Sequence, residues 1–361
     1  MKPKLIRFLT FAAWTATWTY IPLFAKEFGI TDSGIGIMVA LYSLALFSSS
    51  FIFGRASDRY GRRIFLLIGL LAAAIAFFLQ IFAFDYISLL LVRILVGFCI
   101  GISPSALVAY VYERKQLIGR FASFGSLGQG IGALIAGIIA SYFMIQGVFL
   151  FSSLFLLLSF FIALTLKPIK HKPLHVPRFP IKIIKKNLSV YLSMLIRHSG
   201  AHIIWTFWPL YLLSLGANLF WIGVIQAINM ITQFLIMYTI IDKIEHRKSI
   251  MIGIILAAIT FFSFTLVSNF WQIMPTQVML GFSWAFLYAG SLRYVTEKNV
   301  EKATVNGIME SILSLSSIIG PFLATFLIQF GDYRSTMYVA SLLAFISFVV
   351  FRVLEYSRKS I

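Results

Sequence analysis

The sequence predicts an all-α membrane protein in which twelve transmembrane helices form two pseudo-symmetric six-helix bundles. Three observations predict it. Hydrophobic residues make up 60% of the 361 residues and charged residues 12%, whereas a soluble domain is about half apolar and about a quarter charged. Lipid is the solvent that fits so apolar a chain. The basic residues stand in short clusters between long apolar runs, mostly in alternate gaps. Residue patterns in the first half also return, in the same order, in the second.

The spans follow from bilayer thickness, since a hydrocarbon core of about 30 Å needs roughly 20 helical residues. The first six are predicted at 5–25, 34–54, 64–83, 86–111, 121–144 and 147–166. The second six are predicted at 189–213, 220–241, 249–267, 270–293, 304–329 and 333–354. No small-residue cleavage site follows the first apolar stretch at signal-peptide length, so it is expected to be a retained span. An even number of spans puts both termini on one side.

The loops indicate which side. One set holds the N-terminus, Arg55, Arg59, Arg62 and Arg63, then Arg114, Lys115 and Arg120, the segment 167–188, Lys243, Arg247 and Lys248, Lys298 and Lys302, and the tail Arg358 and Lys359. The opposite set holds little beyond Lys26 and Arg334. By the positive-inside rule both termini are expected in the cytoplasm, for a multi-pass protein of the cell (plasma) membrane. The segment 167–188 is basic, proline-rich and too short for a folded domain. It is expected to be a cytoplasmic linker between an N-terminal half, 1–166, and a C-terminal half, 189–361. The net charge of +18 is distributed as topology requires, which argues against nucleic acid as a partner. The single cysteine, Cys99, allows neither an intrachain disulfide nor a cysteine metal site.

The internal repeat is specific. Trp18-Thr-Tyr-Ile-Pro22 matches Trp205-Thr-Phe-Trp-Pro209 at an offset of 187. Asp58-Arg59 matches Asp242-Lys243, Gly97-Phe98 matches Gly281-Phe282, and Tyr110-Val111-x-Glu113 matches Tyr294-Val295-x-Glu297, all at 184. Ordered matches at nearly one offset imply two parallel six-helix repeats about an axis along the membrane normal.

Between spans two and three runs Gly54-Arg55-Ala-Ser-Asp58-Arg59-Tyr-Gly61-Arg62-Arg63. It resembles the signature G-x-x-x-D-R-x-G-R-R of the major facilitator superfamily, with every signature position matched, and the resemblance extends over essentially the whole chain. One carboxylate stands among four guanidiniums at a cytoplasmic helix end. Asp58 and Arg62 are four apart and can pair on a helix, while Gly54 and Gly61 permit close approach or a tight turn. The resemblance implies that this loop latches the two halves on the cytoplasmic side, with Gly54, Asp58, Arg59, Gly61, Arg62 and Arg63 as the gate motif. The second-half copy is degraded, with Tyr238 where Gly54 stands.

The fourth span carries Arg93-x-x-x-Gly97-x-x-x-Gly101, similar to the family's fourth-helix motif. An arginine at the centre of a membrane helix costs about 2.5–3.5 kcal/mol. Arg93 is therefore expected either to meet a partner or wet cavity, or to snorkel from its place about 10 Å from the outer end. The fifth span carries Gly128-x-x-x-Gly132-Ala133-x-x-Ala136-Gly137, resembling the family's antiporter-type motif with Ala133 in place of proline and Ala136 in place of a glycine. The eleventh has a relative of it around Gly320-Pro321. Small residues four apart let helix backbones approach closely, so Gly97, Gly101, Gly128, Gly132, Gly137, Gly320 and Pro321 are expected to serve packing.

Polarity singles out particular helices. Spans three, six, nine and twelve are nearly uniformly apolar; polar residues gather in one, four, seven, eight, ten and eleven. In the family it resembles, helices one, four, seven and ten line the cavity. At 100° per residue several sets share a face: Thr10, Trp14 and Thr17; Arg197, His198, His202 and Trp205; Gln226, Asn229 and Gln233; Gln277, Trp284 and Tyr288; Glu310, Ser314, Ser317 and Pro321. The candidates for substrate or proton handling are Arg93, Arg197, His198, His202, Trp205, Gln226, Asn229, Gln277, Trp284, Tyr288 and Glu310. For each Asn or Gln, hydrogen bonding between helices is the competing role. Glu310 is the one acid placed deep in a predicted span, hence a proton-relay candidate, with pairing to a nearby cation as the alternative. His198 and His202, four apart, titrate near neutral pH when unperturbed, but no carboxylate or thiol completes a metal set.

These features lead to the expectation of a secondary transporter moving a small organic solute by alternating access. Export is favoured over uptake, with protons as the candidate coupling ion, by a chain expected to be monomeric and to need no cofactor. No Walker A sequence is present, so a gradient is the expected energy source. The first span lacks the aspartate common in proton-driven drug exporters of the family. The basic excess at Arg93, Arg197 and the histidines suits an anionic solute, and the aromatics an amphipathic one. A non-transporting membrane sensor, or uptake or exchange of an organic anion, stands as the alternative. No constellation suited to an intramembrane enzyme occurs.

Overall fold

The computed structural model describes residues 1–142, 144–169 and 173–357; Arg358 and Lys359 lie outside them. Phe143, in the fifth predicted span, lies outside them too. Among the described residues the predicted spans are helical over most of their length. They are α1 (Lys2–Glu27), α2 (Asp32–Tyr60), α3 (Arg62–Leu79), α4 (Tyr86–Ile100) with α5 (Pro104–Glu113), α6 (Ile118–Tyr142) and α7 (Ile145–Leu164). After a short helix, α8 (Ile181–Lys186), come α9 (Leu188–Ser214), α10 (Leu219–Thr239) and α11 (His246–Ser263). The last are α12 (Ile273–Trp284) with α13 (Gly290–Lys298), α14 (Lys302–Ile328) and α15 (Tyr333–Ser357). Among the described residues, nine of these spans are long and apolar enough to cross a membrane. The first, seventh and tenth fall short of that apolarity, and all three carry the polar stripes that the sequence assigns to a cavity.

Capping explains where several helices begin. Asp85 accepts a hydrogen bond from the Ser88 backbone N–H at 2.8 Å while the Ser88 hydroxyl lies 3.0 Å from the Asp85 N–H, a reciprocal box at the start of α4. The bonds from Ser88 hold the Asp85 carboxyl below the usual carboxylate range. Its role is thus local and structural. Asp332 accepts in the same way from Ser335 before α15.

The chain divides into two compact units. The first is Met1–Phe179 with Lys298–Ser311; the second is Pro180–Glu297 with Ile312–Ile361. In the first, α1 packs on α6 and α7, α3 on α7, and α2 on α4. Small residues make these approaches possible. A Cβ on Gly128 or Gly132 would run into the Phe8 or Ala12 backbone of α1, and one on Gly97 into Tyr42 of α2. One on Gly101 would meet Ser49 Cβ at 2.9 Å, and one on Gly54 the Ala303 carbonyl oxygen and Gly307 Cα, both at 2.8 Å. Gly137 departs from the expectation: a Cβ there would find only the Tyr20 hydroxyl at 3.6 Å, an ordinary contact, while its neighbours Ala136, Ile139 and Ala140 pack with Ala16 and Tyr20 of α1.

In the second unit α9 packs on α15, α11 on α15, and α10 on α12. Gly320 lies against Ser199 and His202 of α9, and Pro321 beside it is half-buried. The repeat is visible contact by contact. Gly69 is pressed on Ser103 in the first unit, and Gly253 on Leu287, 184 positions on, in the second. Gly97 faces Tyr42, and its equivalent Gly281 faces Asn229 and Thr232.

Two departures from the predicted spans occur at equivalent places. The fourth span is not one helix but breaks after Ile100, and α5 restarts with Pro104 in its first turn, where its missing N–H costs nothing. The tenth continues through a π-helical turn, Ala285–Ala289. Residues 101–105 shifted by 184 are 285–289.

Aliphatic stripes remain uncovered on the apolar spans. On α3 they are Ile64, Ile68, Leu71, Ile75 and Phe78; on α7, Leu150, Leu154, Leu158 and Phe161; α11 and α15 carry similar ones. The three-to-four spacing marks one face of each helix, and such apolar area faces lipid rather than water.

The backbone approach at Gly253 generates a stability prediction. Gly253→Val should lower stability by about 1–3 kcal/mol through overpacking against Leu287. Gly223→Ala, where an added Cβ would meet nothing within 4 Å, should leave it unchanged or slightly raised. Thermal melts of the two variants in detergent check this.

Candidate functional site

Asp58 lies in the last turn of α2, not in a loop, and its side chain is fully buried. Oδ2 accepts from the Thr304 N–H and the Thr304 hydroxyl, both at 2.6 Å, and Oδ1 from the Ala303 N–H at 3.3 Å. These are first-turn groups of α14, whose N–H donors have no partner inside the helix, so the carboxylate caps that helix at its positive end. Arg62 Nη1 stands 2.6 Å from Asp58 Oδ1. The same guanidinium donates to Glu113 Oε1 through Nη2 at 2.8 Å and Nε at 3.1 Å, and to the Ser57 carbonyl. Gly61 turns the chain between α2 and α3 at φ +112°, a region that favours glycine.

The other motif residues lie at the margin. Arg63 donates to the Leu164 carbonyl at 3.0 Å, and Arg59 is exposed, with its guanidinium 5.2 Å from the Tyr60 ring. The linker joins this cluster: the Leu174 N–H donates to the Asp58 carbonyl, and Arg114 to the Lys167 carbonyl at 2.7 Å.

The degraded copy in the second unit keeps the arrangement with changed residues. His246 stands where Arg62 does, 184 positions on, and its Nδ1 lies 3.3 Å from Glu297, the equivalent of Glu113. Arg293 adds a guanidinium, 3.2 Å from Glu297 and 3.9 Å from Asp242.

Within the first unit, Arg93 does not snorkel. It is 2% exposed; Nη1 donates to Gln80 Oε1 at 3.2 Å, and the guanidinium lies 4.2 Å from the Tyr42 ring centroid. Trp14 donates to the Tyr42 hydroxyl at 2.9 Å and stacks on Trp18, which leans on Tyr42 at 5.5 Å. The result is a half-buried aromatic wall backed by a cation, an arrangement that favours π-face contacts with an amphipathic solute.

The second unit holds a similar cluster. Arg197 is also 2% exposed, with Nη2 3.3 Å from Ser283 Oγ and its guanidinium 5.2 Å and 5.3 Å from the Phe261 and Trp284 rings. His198, Trp284 and Tyr288 stack in a column with successive centroids 4.8 Å and 5.1 Å apart. His202 stands edge-on to His198, and Trp205 packs on Trp208. Among the described residues, no carboxylate comes within ion-pair distance of Arg93 or Arg197, and the Nε of each is buried without a hydrogen-bond partner.

The amide candidates divide. Asn229 Nδ2 donates to Gln277 Oε1 at 3.1 Å, and Gln233 Nε2 donates to Asn229 Oδ1 at 2.5 Å. All three are buried, joined by one bond within α10 and one across to α12, with Gln277 Nε2 left without a hydrogen-bond partner. Gln226 is exposed. Glu310 is half-buried, within the α14 segment that belongs to the first unit. Among the described residues no group of three His, Cys, Asp or Glu is placed to hold a metal ion.

Several participants escaped the sequence. Tyr42, Trp18 and Gln80, which surround Arg93 or its aromatic neighbours, are not among the sequence candidates, although Tyr42 and Arg93 occupy the positions equivalent, at offsets of 187 and 184, to Asn229 and Gln277. Glu355 falls one residue beyond the predicted last span, yet it is buried and pairs with Arg247 at 2.8 Å.

With the geometry in view, comparison with known proteins is direct. A model of the Major Facilitator Superfamily matches residues 5–297 and again 190–360, and the chain belongs to that superfamily: it is a multi-pass membrane transporter of small molecules. Curated relatives include the multidrug resistance protein MdtG of Salmonella heidelberg, 24% identical over 92% of this chain and 89% of that protein. MdtG of Proteus mirabilis is 23% identical over 95% and 92%. The crystal structure of the human organic anion transporter MFSD10 (TETRAN) shares the fold, with a TM-score of 0.81 at 15% identity, covering 97% of this chain and 98% of that one.

A buried guanidinium short of partners is costly, and that cost is measurable. Arg197→Met should raise thermal stability in detergent by about 1–3 kcal/mol, the penalty of an incompletely satisfied buried polar group, while lowering transport. A stability loss of that size would show that Arg197 serves packing.

Proposed function

We propose that this chain is a secondary transporter that exports small amphipathic organic solutes by alternating access. It works from the cell membrane with both termini in the cytoplasm and acts as a monomer. The observation that carries the reading is the pair of buried arginines, Arg93 and Arg197, each set among aromatic rings and neither balanced by a carboxylate. Each cluster, taken by itself, sets a cation behind π faces, which suits a solute with an apolar body and an anionic or strongly polar end. Export is supported by the relatives named for multidrug resistance. The orientation is supported by the loop charges.

In this reading Asp58 is the gate. Its hold on the first turn of α14 exists while one side is shut, and opening that side requires the three hydrogen bonds from Ala303 and Thr304 to part. Arg62 and Glu113 keep the carboxylate aimed. Arg93, Arg197 and the His198–Trp284–Tyr288 column are assigned to the solute; Glu310 is assigned to the coupled proton. The arginines also favour a second reading, exchange or uptake of an organic anion without proton movement.

The test is substrate movement with internal pH recorded in proteoliposomes, across anionic, neutral and cationic amphipathic dyes. Proton flux that depends on the dye and is lost in Glu310→Gln supports proton-coupled export. Dye movement without proton flux favours anion exchange; no movement of any dye counts against transport of this class. Asp58→Asn should insert normally yet transport about tenfold more slowly or worse, since a buried charge at a helix terminus contributes up to about 2 kcal/mol. Wild-type rates in a correctly inserted variant would sink the gate.

A further inference from the structure

A cleft of about 480 Å³ in the second unit lies between the start of α11 and the end of α15. Its lining includes Arg247, Met251, Arg352, Val353, Glu355 and Tyr356. The transport reading does not use it. Glu355 is already occupied: Oε1 accepts from the Ser189 hydroxyl at 2.8 Å and the Tyr294 hydroxyl at 2.5 Å, and Oε2 pairs with Arg247 Nε at 2.8 Å. That pair engages Arg247 through Nε and orients the guanidinium. Arg352 is exposed, and among the described residues its polar contact is the Met251 sulfur at 3.9 Å. The cleft therefore presents two guanidiniums against one carboxylate, which is paired with Arg247 and bonded by two hydroxyls.

Its surroundings are apolar. Val353 and Tyr356 are 56% and 78% exposed. Away from the arginines the uncovered stripe continues along α15 through Val349, Phe345 and Leu342, and along α11 through Ile252, Ile255 and Ile259. A free anion would use the arginines and leave these stripes idle. An anion carrying acyl chains uses both, and basic pockets between membrane helices are suited to such headgroups.

We infer that this cleft binds one anionic phospholipid, its phosphate between Arg247 and Arg352 and its chains along the α11 and α15 stripes. The test is native mass spectrometry of the purified full chain, equilibrated with phosphatidylglycerol and phosphatidylcholine in equal amounts. Phosphatidylglycerol should be retained preferentially. Arg352→Gln should reduce that retention about fivefold, as expected for one arginine near a membrane surface. Arg352→Lys, which keeps the charge, should preserve it, and Arg247→Gln with Arg352→Gln should remove it. Since Arg352 is exposed, the single variant carries the test if the double variant loses its monodisperse profile. Equal retention of both lipids, or undiminished phosphatidylglycerol in a well-folded Arg352→Gln, overturns the site. Displacement of the lipid by millimolar inorganic phosphate also overturns it, by showing that a free anion suffices.

Discussion

Asp58 is a fully buried carboxylate, and a charge so placed persists only where donors surround it. Two backbone N–H groups, one hydroxyl and one guanidinium do so. What surrounds the site follows from that requirement. α14 must begin where its unbonded N–H groups reach the carboxylate, so α2 and α14 touch at Gly54 and Gly307, where neither residue has room for a side chain. Arg62 must turn back on α2, so the chain bends at Gly61. Glu113 must balance the remaining guanidinium charge, which fixes the end of α5. The signature read along the chain as glycines, an acid and arginines is thus one coordination problem solved in space.

The two repeats solve it differently. In the second unit an imidazole replaces Arg62, and Arg293 supplies the permanent cation. An imidazole carries charge only when protonated, whereas guanidinium is always charged. The repeats therefore share geometry without sharing electrostatics.

How much of this was legible in the sequence depended on range. The spans were readable because lipid imposes length and apolarity locally, and Gly97, Gly128 and Gly132 because small residues four apart have one dominant use in a membrane helix. The Asp58–Thr304 contact was not, since it joins residues 246 positions apart. The depth of Arg93 was ambiguous for a related reason: a stripe gives an angle around the helix, while burial depends on Tyr42 and Gln80 from other elements. Gln277 shared a polar face with Trp284 and Tyr288, yet its partner is Asn229, which only the pairing of α10 with α12 decides. The break at Gly101 had Pro104 as its signal. The π turn at 285–289 had none, because that segment, Ala-Phe-Leu-Tyr-Ala, suits an ordinary helix equally well.

That turn sets the two fourth helices of the repeat apart. A π turn holds an extra residue, and moving it one step along the helix rotates the residues it passes by about 100°. Tyr288 lies inside the turn and Trp284 immediately before it, so the place of the turn sets how these two rings of the stacked column face each other and that Trp284 is the one beside Arg197. In the first unit the equivalent position is pinned, because Pro104 has no N–H with which to rejoin the ladder. The molecule thus interrupts the same helix at the same place in both repeats, by a break in one and by a wide turn in the other.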